Sequence, residues 1–288
     1  MSEEIKDANA NYEDCTHDCS SCGVDCPSKE GGIQKSPLNE YSSVKKVIGV
    51  VSGKGGVGKS MVTALSALAA TRHGYKTGIM DADITGPSIP KMFGVHSKAY
   101  ASDYGILPEV TPTEISLMSI NLLTQNETDP VVWRGPVIAG VVEQFWTDVY
   151  WGDLDVLFID MPPGTGDVPL TVFQSIPIDG IIVVTSPQDL VSMIVAKAVN
   201  MAKLMNIPVL GLVENMSYIT CPDCGRKIEM FGPSQAEAVA AMYGIKLLEK
   251  LPIDPVLSQE SDLGRIEFNE GTQMESILGV LDDLGLTV

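Results

Sequence analysis

The sequence of this 288-residue chain is organised around the stretch Val47–Thr63, which reads VIGVVSGKGGVGKSMVT. Residues Val47–Ser52 are β-prone, the following residues are rich in glycine, and a helix-compatible stretch comes next. Gly53–Ser60 meets the spacing GxxxxGKS of a phosphate-binding loop between a strand and a helix. The sequence therefore predicts a nucleotide site at this point of the chain.

The chemistry of this loop follows from its residue types. Glycine has no Cβ, so the backbone can turn tightly and bring its N–H groups close to a polyphosphate. The first turn of the following helix adds unpaired N–H groups and the positive end of its dipole. Lys59 supplies a charge for the outer phosphates, and the Ser60 hydroxyl can ligate Mg²⁺. The residues expected to bind the nucleotide are Gly53, Lys54, Gly55, Gly56, Val57, Gly58, Lys59 and Ser60.

Two predicted strands end next to acidic residues that suit magnesium and water chemistry. Lys76–Met80 leads into Asp81 and Asp83, and Leu154–Asp160 runs directly into the sequence MPPGTGD. A carboxylate at the end of a strand beside the phosphate loop can hold Mg²⁺ or its waters, or orient an attacking water. The alternative for Asp81 and Asp83 is a helix N-cap or a turn. The glycines of MPPGTGD can sense a γ-phosphate, so the sequence predicts an ATPase or GTPase with moving loops.

Strands and helices alternate through the rest of the chain. The expected helices are Val62–His73, Val137–Trp151, Gln188–Met205, Gly232–Gly244 and Ile277–Leu286, and the later strands are Ile181–Ser186, Val209–Val213 and Lys246–Leu251. This alternation predicts an α/β fold with a doubly wound, mostly parallel sheet. We expect residues 41–288 to form this P-loop ATPase domain, with a cysteine-bearing insertion near residues 215–232. Residues 1–40 carry little periodic hydrophobicity and are expected to form a flexible, cysteine-rich tail.

The charge and hydropathy of the chain limit its partners. The net charge is -18, from 19 basic and 37 acidic residues. Such a surface repels phosphate backbones and anionic lipids, which argues against a nucleic-acid-binding protein. No uninterrupted apolar run is long enough to span a bilayer, and the acidic start MSEEIKDANA is unlike a signal or transit peptide. We therefore expect a cytoplasmic protein without a nucleic-acid or membrane partner.

Four of the six cysteines lie close together in the tail. They follow the spacing CxxxCxxCxxxCP and are Cys15, Cys19, Cys22 and Cys26. In a cytosolic chain such clusters indicate metal or redox sites rather than disulfides. Soft thiolates at this spacing can hold an iron–sulfur cluster without a hydrophobic core. A four-thiolate zinc site is the alternative.

The other two cysteines, Cys221 and Cys224, form one CxxC pair after the sequence ENMSYIT. A four-coordinate metal site needs two further ligands. These ligands can come from a second subunit or from the tail, or the pair can be a redox dithiol without a metal. A symmetric dimer that shares one cluster across its two-fold axis fits best, with zinc as an alternative occupant. In the same stretch, the amide of Asn215 can pair with a purine base, or it can form a turn at a strand end.

Five separate stretches resemble the Mrp/ApbC family of P-loop ATPases, which carry and transfer iron–sulfur clusters. These stretches are GKGGVGKS, DADITGPSIP, IDMPPGTGD, ENMS and CPDCG, and the resemblance extends from about Val44 to the C-terminus. The two-lysine loop, with Lys54 after the first glycine, also resembles the deviant Walker A loop of nitrogenase iron protein, arsenic-pump ATPases and MinD/ParA-type ATPases. The alternative for Lys54 is a solvated lysine on a loop.

The resemblance implies roles for particular residues. Cys221 and Cys224 of two subunits would bridge a [4Fe-4S] cluster. Lys54 would contact phosphates of the other subunit, and Asp83 would be a switch aspartate. The residues expected to act in ATP hydrolysis are Lys54, Lys59, Asp83 and Asp160. The implied function is that of a homodimeric, ATP-dependent carrier that assembles this cluster and transfers it to apo-proteins.

The tail resembles the N-terminal segment of the eukaryotic cytosolic scaffold members of this family, which hold a second [4Fe-4S] cluster. Its outer cysteine gaps are tighter than theirs, so an electron-transfer centre of ferredoxin type is an alternative. For the whole chain, a second hypothesis is an ATP-dependent electron donor like nitrogenase iron protein. A MinD/ParA-type positioning ATPase is a third hypothesis, and it has no use for six clustered cysteines.

Overall fold

The computed structural model describes residues 35–84, 86–124, 135–187 and 191–287. The four tail cysteines expected to bind a second cluster, Cys15, Cys19, Cys22 and Cys26, lie outside these residues. The strands are β1 (Ser43–Ser52), β2 (Thr77–Asp81), β3 (Tyr100–Ser102), β4 (Gly105–Leu107), β5 (Glu109–Val110), β6 (Ser116–Ser119), β7 (Asp153–Asp160), β8 (Gly180–Thr185), β9 (Val209–Thr220), β10 (Lys227–Ile228) and β11 (Leu247–Pro252). The helices are α1 (Lys59–Arg72), α2 (Ile89–Met92), α3 (Gly135–Thr147), α4 (Asp167–Ser175), α5 (Val191–Leu204), α6 (Ala236–Tyr243), α7 (Pro255–Asp262) and α8 (Ser276–Asp283).

Most of the described strands form one sheet, in the order β10–β9–β8–β1–β7–β2–β6–β5, with β11 beside β9. β1 lies inside the sheet and pairs in parallel with β7 and β8. Antiparallel pairing is found at the two ends, between β5 and β6 and between β10 and β9. β3 and β4 form a separate antiparallel hairpin. The predicted doubly wound, mostly parallel sheet is therefore confirmed, and its carboxyl edge is where ligands of such folds bind.

Helix α1 is buried along its length because it lies between the sheet and α8. Its apolar residues are small enough to allow close packing on both sides; Val62, Ala64 and Ala67 are 0% exposed. A helix that is apolar on all sides is stable only when other elements bury each of those sides. This packing fixes the start of α1, and with it the phosphate loop, relative to β1.

Strand β9 differs most from the sequence-based expectation. The apolar run predicts a strand over Val209–Val213, and the structure extends it to Thr220. The cause is pairing, because β11 pairs with β9 as far as Tyr218 and β10 pairs with Ile219 and Thr220. Glu214 and Asn215 in its middle have little intrinsic preference for strands, and tertiary pairing overrides that preference. Cys221 consequently follows directly on a strand that starts inside the sheet.

Several helices are shorter than predicted, because an apolar pattern does not locate helix ends. α3 ends at Thr147, and Val149 instead forms an isolated bridge with Ile106. α6 begins at Ala236 and ends at Tyr243, and the predicted terminal residue Gly244 caps it with a φ of 64°, which favours glycine. In the described ranges, none of the helices combines the length and apolar character needed to cross a membrane.

The first described residues pack on α3 and α4. The Ser36 N–H donates to the Ser175 carbonyl at 2.8 Å, and the Ser36 hydroxyl donates to Glu143 Oε1 at 2.5 Å. The Trp146 indole N–H donates to the Ser36 carbonyl at 3.0 Å. These contacts attach residues at the end of the predicted tail to two helices of the sheet domain.

Candidate functional site

The phosphate loop joins β1 to α1 at the carboxyl edge of the sheet. Gly56 and Gly58 have φ values of 77° and 81°, in the left-handed region that favours glycine. Gly58 turns the chain directly into α1, so the helix begins at Lys59 rather than at the predicted Val62. The loop borders a cleft of about 340 Å³. The lining of this cleft includes Gly55, Gly58, Lys59, Ser60, Asp83 and Pro163.

Charged and hydroxyl groups meet at one side of this cleft. Lys59 Nζ lies 2.6 Å from Asp160 Oδ1 and 3.6 Å from Asp83 Oδ2. The Ser60 hydroxyl donates to Asp160 Oδ2 at 2.5 Å, and the Thr63 hydroxyl donates to Asp160 Oδ1 at 3.1 Å. The structure thus brings four residues of the predicted site together. Thr63 is a fifth residue that the motif did not reveal, although its position one helical turn after Lys59 is a usable signal.

Two aspartates lie side by side beneath this group. Asp81 and Asp160 are register partners of β2 and β7, and both are 0% exposed. Burial raises the pKa of Asp160, although the charge of Lys59 acts in the opposite direction. Burial also raises the pKa of Asp81 well above its usual value, and the charge of Asp160 adds to that effect. Burial and mutual repulsion thus oppose ionisation of the two carboxyl groups, and a nearby cation favours their charged forms.

The carboxylate of Asp81 also shapes the loop that leads to α2. It accepts hydrogen bonds from the backbone N–H groups of Asp83, at 3.2 Å, and Ile89, at 3.4 Å. The Ser119 hydroxyl donates to it at 3.2 Å. A carboxylate that bonds the backbone two residues further on is a turn former. The described contacts of Asp81 are those of the predicted turn, whereas Asp83 faces Lys59.

We predict that Asp81→Asn makes the free energy of unfolding less dependent on pH. The pKa of Asp81 in the folded chain is raised above its usual value of 3.8. At a pH between the unfolded-state pKa and the folded-state pKa, the folded chain therefore holds a proton that the unfolded chain releases. Wild-type stability therefore falls as pH rises through this window, whereas asparagine has no such proton to lose. Urea titrations from about pH 4 to about pH 8 measure the two slopes. Equal slopes would contradict the prediction, and Asp103→Asn, at an exposed position, is the control.

The loop after β7 is anchored to the end of β1. The Gly164 N–H donates to the Ser52 carbonyl at 2.8 Å, and the Met161 N–H donates to the Val50 carbonyl at 3.1 Å. The Ser52 hydroxyl donates to the Lys54 carbonyl at 3.0 Å. Ser52 consequently joins the phosphate loop to the loop expected to sense the γ-phosphate. Lys54 is half-buried, and its contact with a second subunit stays a prediction.

Asn215 lies inside β9 and packs against the phosphate loop, with 8% of its surface exposed. Its side-chain N–H donates to the Val57 carbonyl at 3.0 Å, and its Oδ1 accepts from the Met216 N–H at 2.9 Å. A Cβ on Gly58 would lie 2.0 Å from Asn215 Nδ2. Met216 has a φ of 58°, which is uncommon for a residue with a side chain. The Asn215 amide thus ties β9 to the phosphate loop, and its binding to a base stays a prediction.

The cysteine pair lies in a tight turn between β9 and β10. Cys221 is half-buried, Cys224 is exposed, and both are free thiols. The Gly225 N–H donates to the Cys221 carbonyl and the Cys221 N–H to the Arg226 carbonyl, each at 2.9 Å. Backbone N–H groups of Cys224 and Asp223 donate to the Cys221 sulfur and lower the pKa of its thiol. Because the thiolate is the metal-binding form of cysteine, this turn suits a metal ligand.

Strand β9 connects Asn215, which contacts the phosphate loop, to the turn that carries the cysteine pair. Asn215 and Cys221 are six residues apart, which corresponds to about 20 Å of extended chain. In the part of the chain that the structure describes, no group of three or more His, Cys, Asp or Glu side chains is arranged to hold a metal ion. The pair therefore offers two thiolates at the outer end of β9, remote from the phosphate loop.

The fold and the loop together define a P-loop nucleoside triphosphatase. A glycine loop connects a buried parallel strand to a helix, and the neighbouring strand ends in an aspartate that reaches the loop lysine. The MinD cell division protein of Aquifex aeolicus is similar in structure, with a TM-score of 0.56 over 84% of this chain and 98% of that chain. Its sequence is 17% identical, so this likeness concerns the fold alone.

The sequence comparisons identify the family. A model of the NUBPL iron-transfer P-loop NTPases, in the ParA group, matches residues 43–283, so the chain belongs to this family. An iron-sulfur cluster carrier protein of Clostridium perfringens is 44% identical over 265 residues, which are 86% of this chain and 93% of that protein. A second one, from Methanocaldococcus jannaschii, is 44% identical over 258 residues, or 87% and 89% of the two chains. The resemblance to cluster-carrier ATPases is therefore confirmed.

A solved structure agrees with this assignment. The nucleotide-binding protein of Archaeoglobus fulgidus, in complex with ADP, is 45% identical and has a TM-score of 0.72. The match covers 79% of this chain and 90% of that chain. Sequence and fold thus place this protein among P-loop NTPases of the iron-transfer family.

Proposed function

We propose that the protein is an ATPase that assembles a [4Fe-4S] cluster between two copies of itself and transfers it to apo-proteins. The observation that carries this proposal is β9, because Asn215 contacts the phosphate loop and Cys221 follows the end of the same strand. Nucleotide and cargo sites that share a rigid element can influence each other's affinity, and such coupling is reciprocal. A carrier needs this coupling in order to hold its cargo in one nucleotide state and release it in another.

ATP hydrolysis would use the charged groups of the phosphate-loop cleft. Lys59 and the loop amides bind the outer phosphates, while Asp83, 3.6 Å from Lys59, orients the attacking water. The backbone around Gly164 senses the γ-phosphate and passes its position to Ser52. Lys54 of a second copy adds positive charge where the phosphates of the first copy carry their negative charge.

The donor groups in this cleft fit Mg²⁺, which prefers oxygen ligands and keeps several waters. The Ser60 hydroxyl and the Asp160 carboxylate, 2.5 Å apart, would hold the ion. When bound, Mg²⁺ neutralises charge on the β- and γ-phosphates. The raised pKa of the buried Asp160 gives a further reason, because a nearby cation relieves the cost of its buried charge.

The cargo requires two copies of the chain. A [4Fe-4S] cluster takes four cysteine thiolates, and each copy offers Cys221 and Cys224. A symmetric dimer supplies two from each side of its two-fold axis. Four further cysteines, Cys15, Cys19, Cys22 and Cys26, would hold a second cluster on the tail. The cytoplasm is the proposed compartment, since thiols stay reduced there.

Anaerobic reconstitution with iron and sulfide tests this proposal. The Cys221→Ala/Cys224→Ala variant is expected to bind about four fewer irons per dimer than the wild type and to keep about eight on the tails. Iron, labile sulfide and oligomer mass are measured for both proteins. The control variant, Cys15→Ala/Cys19→Ala, should lose tail iron and keep the four bridging irons.

Three outcomes would contradict the proposal. Equal iron contents in the wild type and the Cys221→Ala/Cys224→Ala variant would exclude a bridging cluster, and uptake of zinc in place of iron would leave a zinc-stabilised ATPase. A loaded protein that reduces an acceptor while keeping its iron would favour an ATP-dependent electron donor. A carrier instead loses its iron as the acceptor gains it.

A further inference from the structure

A second cleft lies beside the cysteine pair, and none of the roles proposed above uses it. Its volume is about 730 Å³, compared with about 340 Å³ for the phosphate-loop cleft. It is formed by the end of β9, by β10 and the turn that follows, and by β11. Its lining includes Tyr218, Arg226, Lys227, Ile228, Glu229 and Lys250. A cleft of this size can bury several side chains of a ligand.

The lining of this cleft is basic, although the chain as a whole carries a net charge of -18. Arg226, Lys227 and Lys250 are the basic residues of the lining, and Glu229 is its acidic residue. Lys250 Nζ lies 2.8 Å from Glu237 Oε1, so the positive charge offered to a ligand comes from Arg226 and Lys227. Lys227 Nζ lies 4.1 Å from the centre of the Tyr218 ring, an attractive cation–π contact that holds the ammonium group in place. A local excess of positive charge on an acidic protein attracts an acidic ligand to this position.

Apolar side chains continue from the basic cleft into solvent. Ile228, Met230 and Phe231 are 44%, 58% and 51% exposed, within four consecutive residues. Exposed apolar side chains that cluster in this way mark interaction surfaces. The surface therefore combines positive charge with apolar contact area, which suits a protein segment better than a small ion.

This surface is continuous with the proposed cargo site. Lys227 and Ile228 pair with Thr220 and Ile219, the last residues before the cysteine turn. The Arg226 carbonyl accepts the Cys221 N–H at 2.9 Å. A protein bound in the cleft would consequently lie next to the thiolates that hold the cluster.

We propose that this basic cleft docks an acidic segment, with apolar side chains between its carboxylates, of the protein that receives the cluster. The proposal rests on the proposed function, because it identifies the partner as a cluster acceptor. Carboxylates of the segment would pair with Arg226 and Lys227, and its apolar side chains would cover Met230 and Phe231. The attraction steers the acceptor to the cysteine pair and orients its own cysteines for ligand exchange.

Binding is tested without any cluster, using the full chain and the apo form of a small acidic bacterial-type ferredoxin with a fluorescent label. Anisotropy is measured under reducing conditions and low salt. Arg226→Glu/Lys227→Glu is expected to weaken binding at least about tenfold, because like charges then face each other. Lys197→Glu/Lys203→Glu makes the same change in net charge at exposed positions on α5 and should weaken binding by no more than about twofold.

Three results would overturn the proposal. Equal weakening by both double variants would mean that net charge alone matters. A change of dimer mass in Arg226→Glu/Lys227→Glu would make the cleft a contact between copies. Displacement of the ferredoxin by a single-stranded oligonucleotide would make it a nucleic-acid site. The assay contains no iron, so a failure of the proposed function would appear separately, as missing iron in the reconstitution of the wild type.

Discussion

Lys59→Met is expected to lower the rate of ATP hydrolysis at least about 100-fold, because the side chain proposed to stabilise the outer phosphates is lost. The same change should lower the free energy of unfolding by about 3–5 kcal/mol. Lys59 is 6% exposed and lies 2.6 Å from Asp160, which is 0% exposed. Methionine fills a similar volume but leaves the buried Asp160 carboxylate without its cation. Hydrolysis assays and urea titrations at neutral pH measure the two effects.

The double variant Lys59→Met/Asp160→Asn separates charge from packing. Asparagine carries no charge, and its one side-chain oxygen can still accept a hydrogen bond from either Ser60 or Thr63, so much of the lost stability should return. Hydrolysis should not return, because the lysine proposed to bind phosphate and the carboxylate proposed to bind Mg²⁺ are both absent. Such a result would show that stability depends on the balance of charge between residues 59 and 160, whereas hydrolysis depends on the Lys59 and Asp160 side chains themselves.

The exposed Lys91 provides the control for this pair. Its Nζ lies 3.8 Å from Asp262, and its side chain is 66% exposed. Lys91→Met should therefore change the free energy of unfolding by less than about 1 kcal/mol. If Lys59→Met were equally mild, the ion pair with Asp160 would not stabilise the fold.

The phosphate loop and Asp160 could be predicted from the sequence because each is identified by a pattern of contiguous residues. Gly53–Ser60 has the spacing of the loop, and Asp160 ends a short apolar run whose length is typical of a buried strand. The alternation of such strands with helices was sufficient to predict the doubly wound sheet. Their close approach, 2.6 Å between Lys59 and Asp160, then follows from the pairing of β1 with β7.

The connection between the two sites could not be predicted in the same way. β9 continues as a strand beyond Val213 because β11 and β10, which are later in the sequence, pair with residues between Glu214 and Thr220. The contact of Asn215 with Val57 joins residues 158 positions apart, so no local pattern contains it. The basic cleft beside Cys221 likewise brings Arg226 together with Lys250 only after β9 and β11 have paired.

Gly58→Ala is expected to have the second large effect, on both the fold of the phosphate loop and nucleotide binding. The φ of 81° costs about 1–2 kcal/mol for a residue with a side chain. The new Cβ would also lie 2.0 Å from Asn215 Nδ2, so the amide must move and lose its bond to the Val57 carbonyl. We expect this overpacking to lower the free energy of unfolding by a further amount of about 1–3 kcal/mol. Nucleotide affinity should fall together with stability, because the loop amides lose their arrangement.

Two neighbouring glycines separate these contributions. Gly56 has a φ of 77°, and a Cβ added to it would have no heavy atom of the described residues within 4 Å. Gly56→Ala should therefore lower the free energy of unfolding only by the cost of the left-handed backbone conformation. Gly55→Ala has neither problem and should leave the free energy of unfolding near that of the wild type. In the double variant Gly58→Ala/Asn215→Ala the obstructing amide is gone, so its loss of stability should be smaller than the sum of the two single losses by about 0.5–3 kcal/mol. Strict additivity would mean that Asn215 does not contact the phosphate loop, and it would remove the link through β9 on which the coupling of nucleotide and cargo depends.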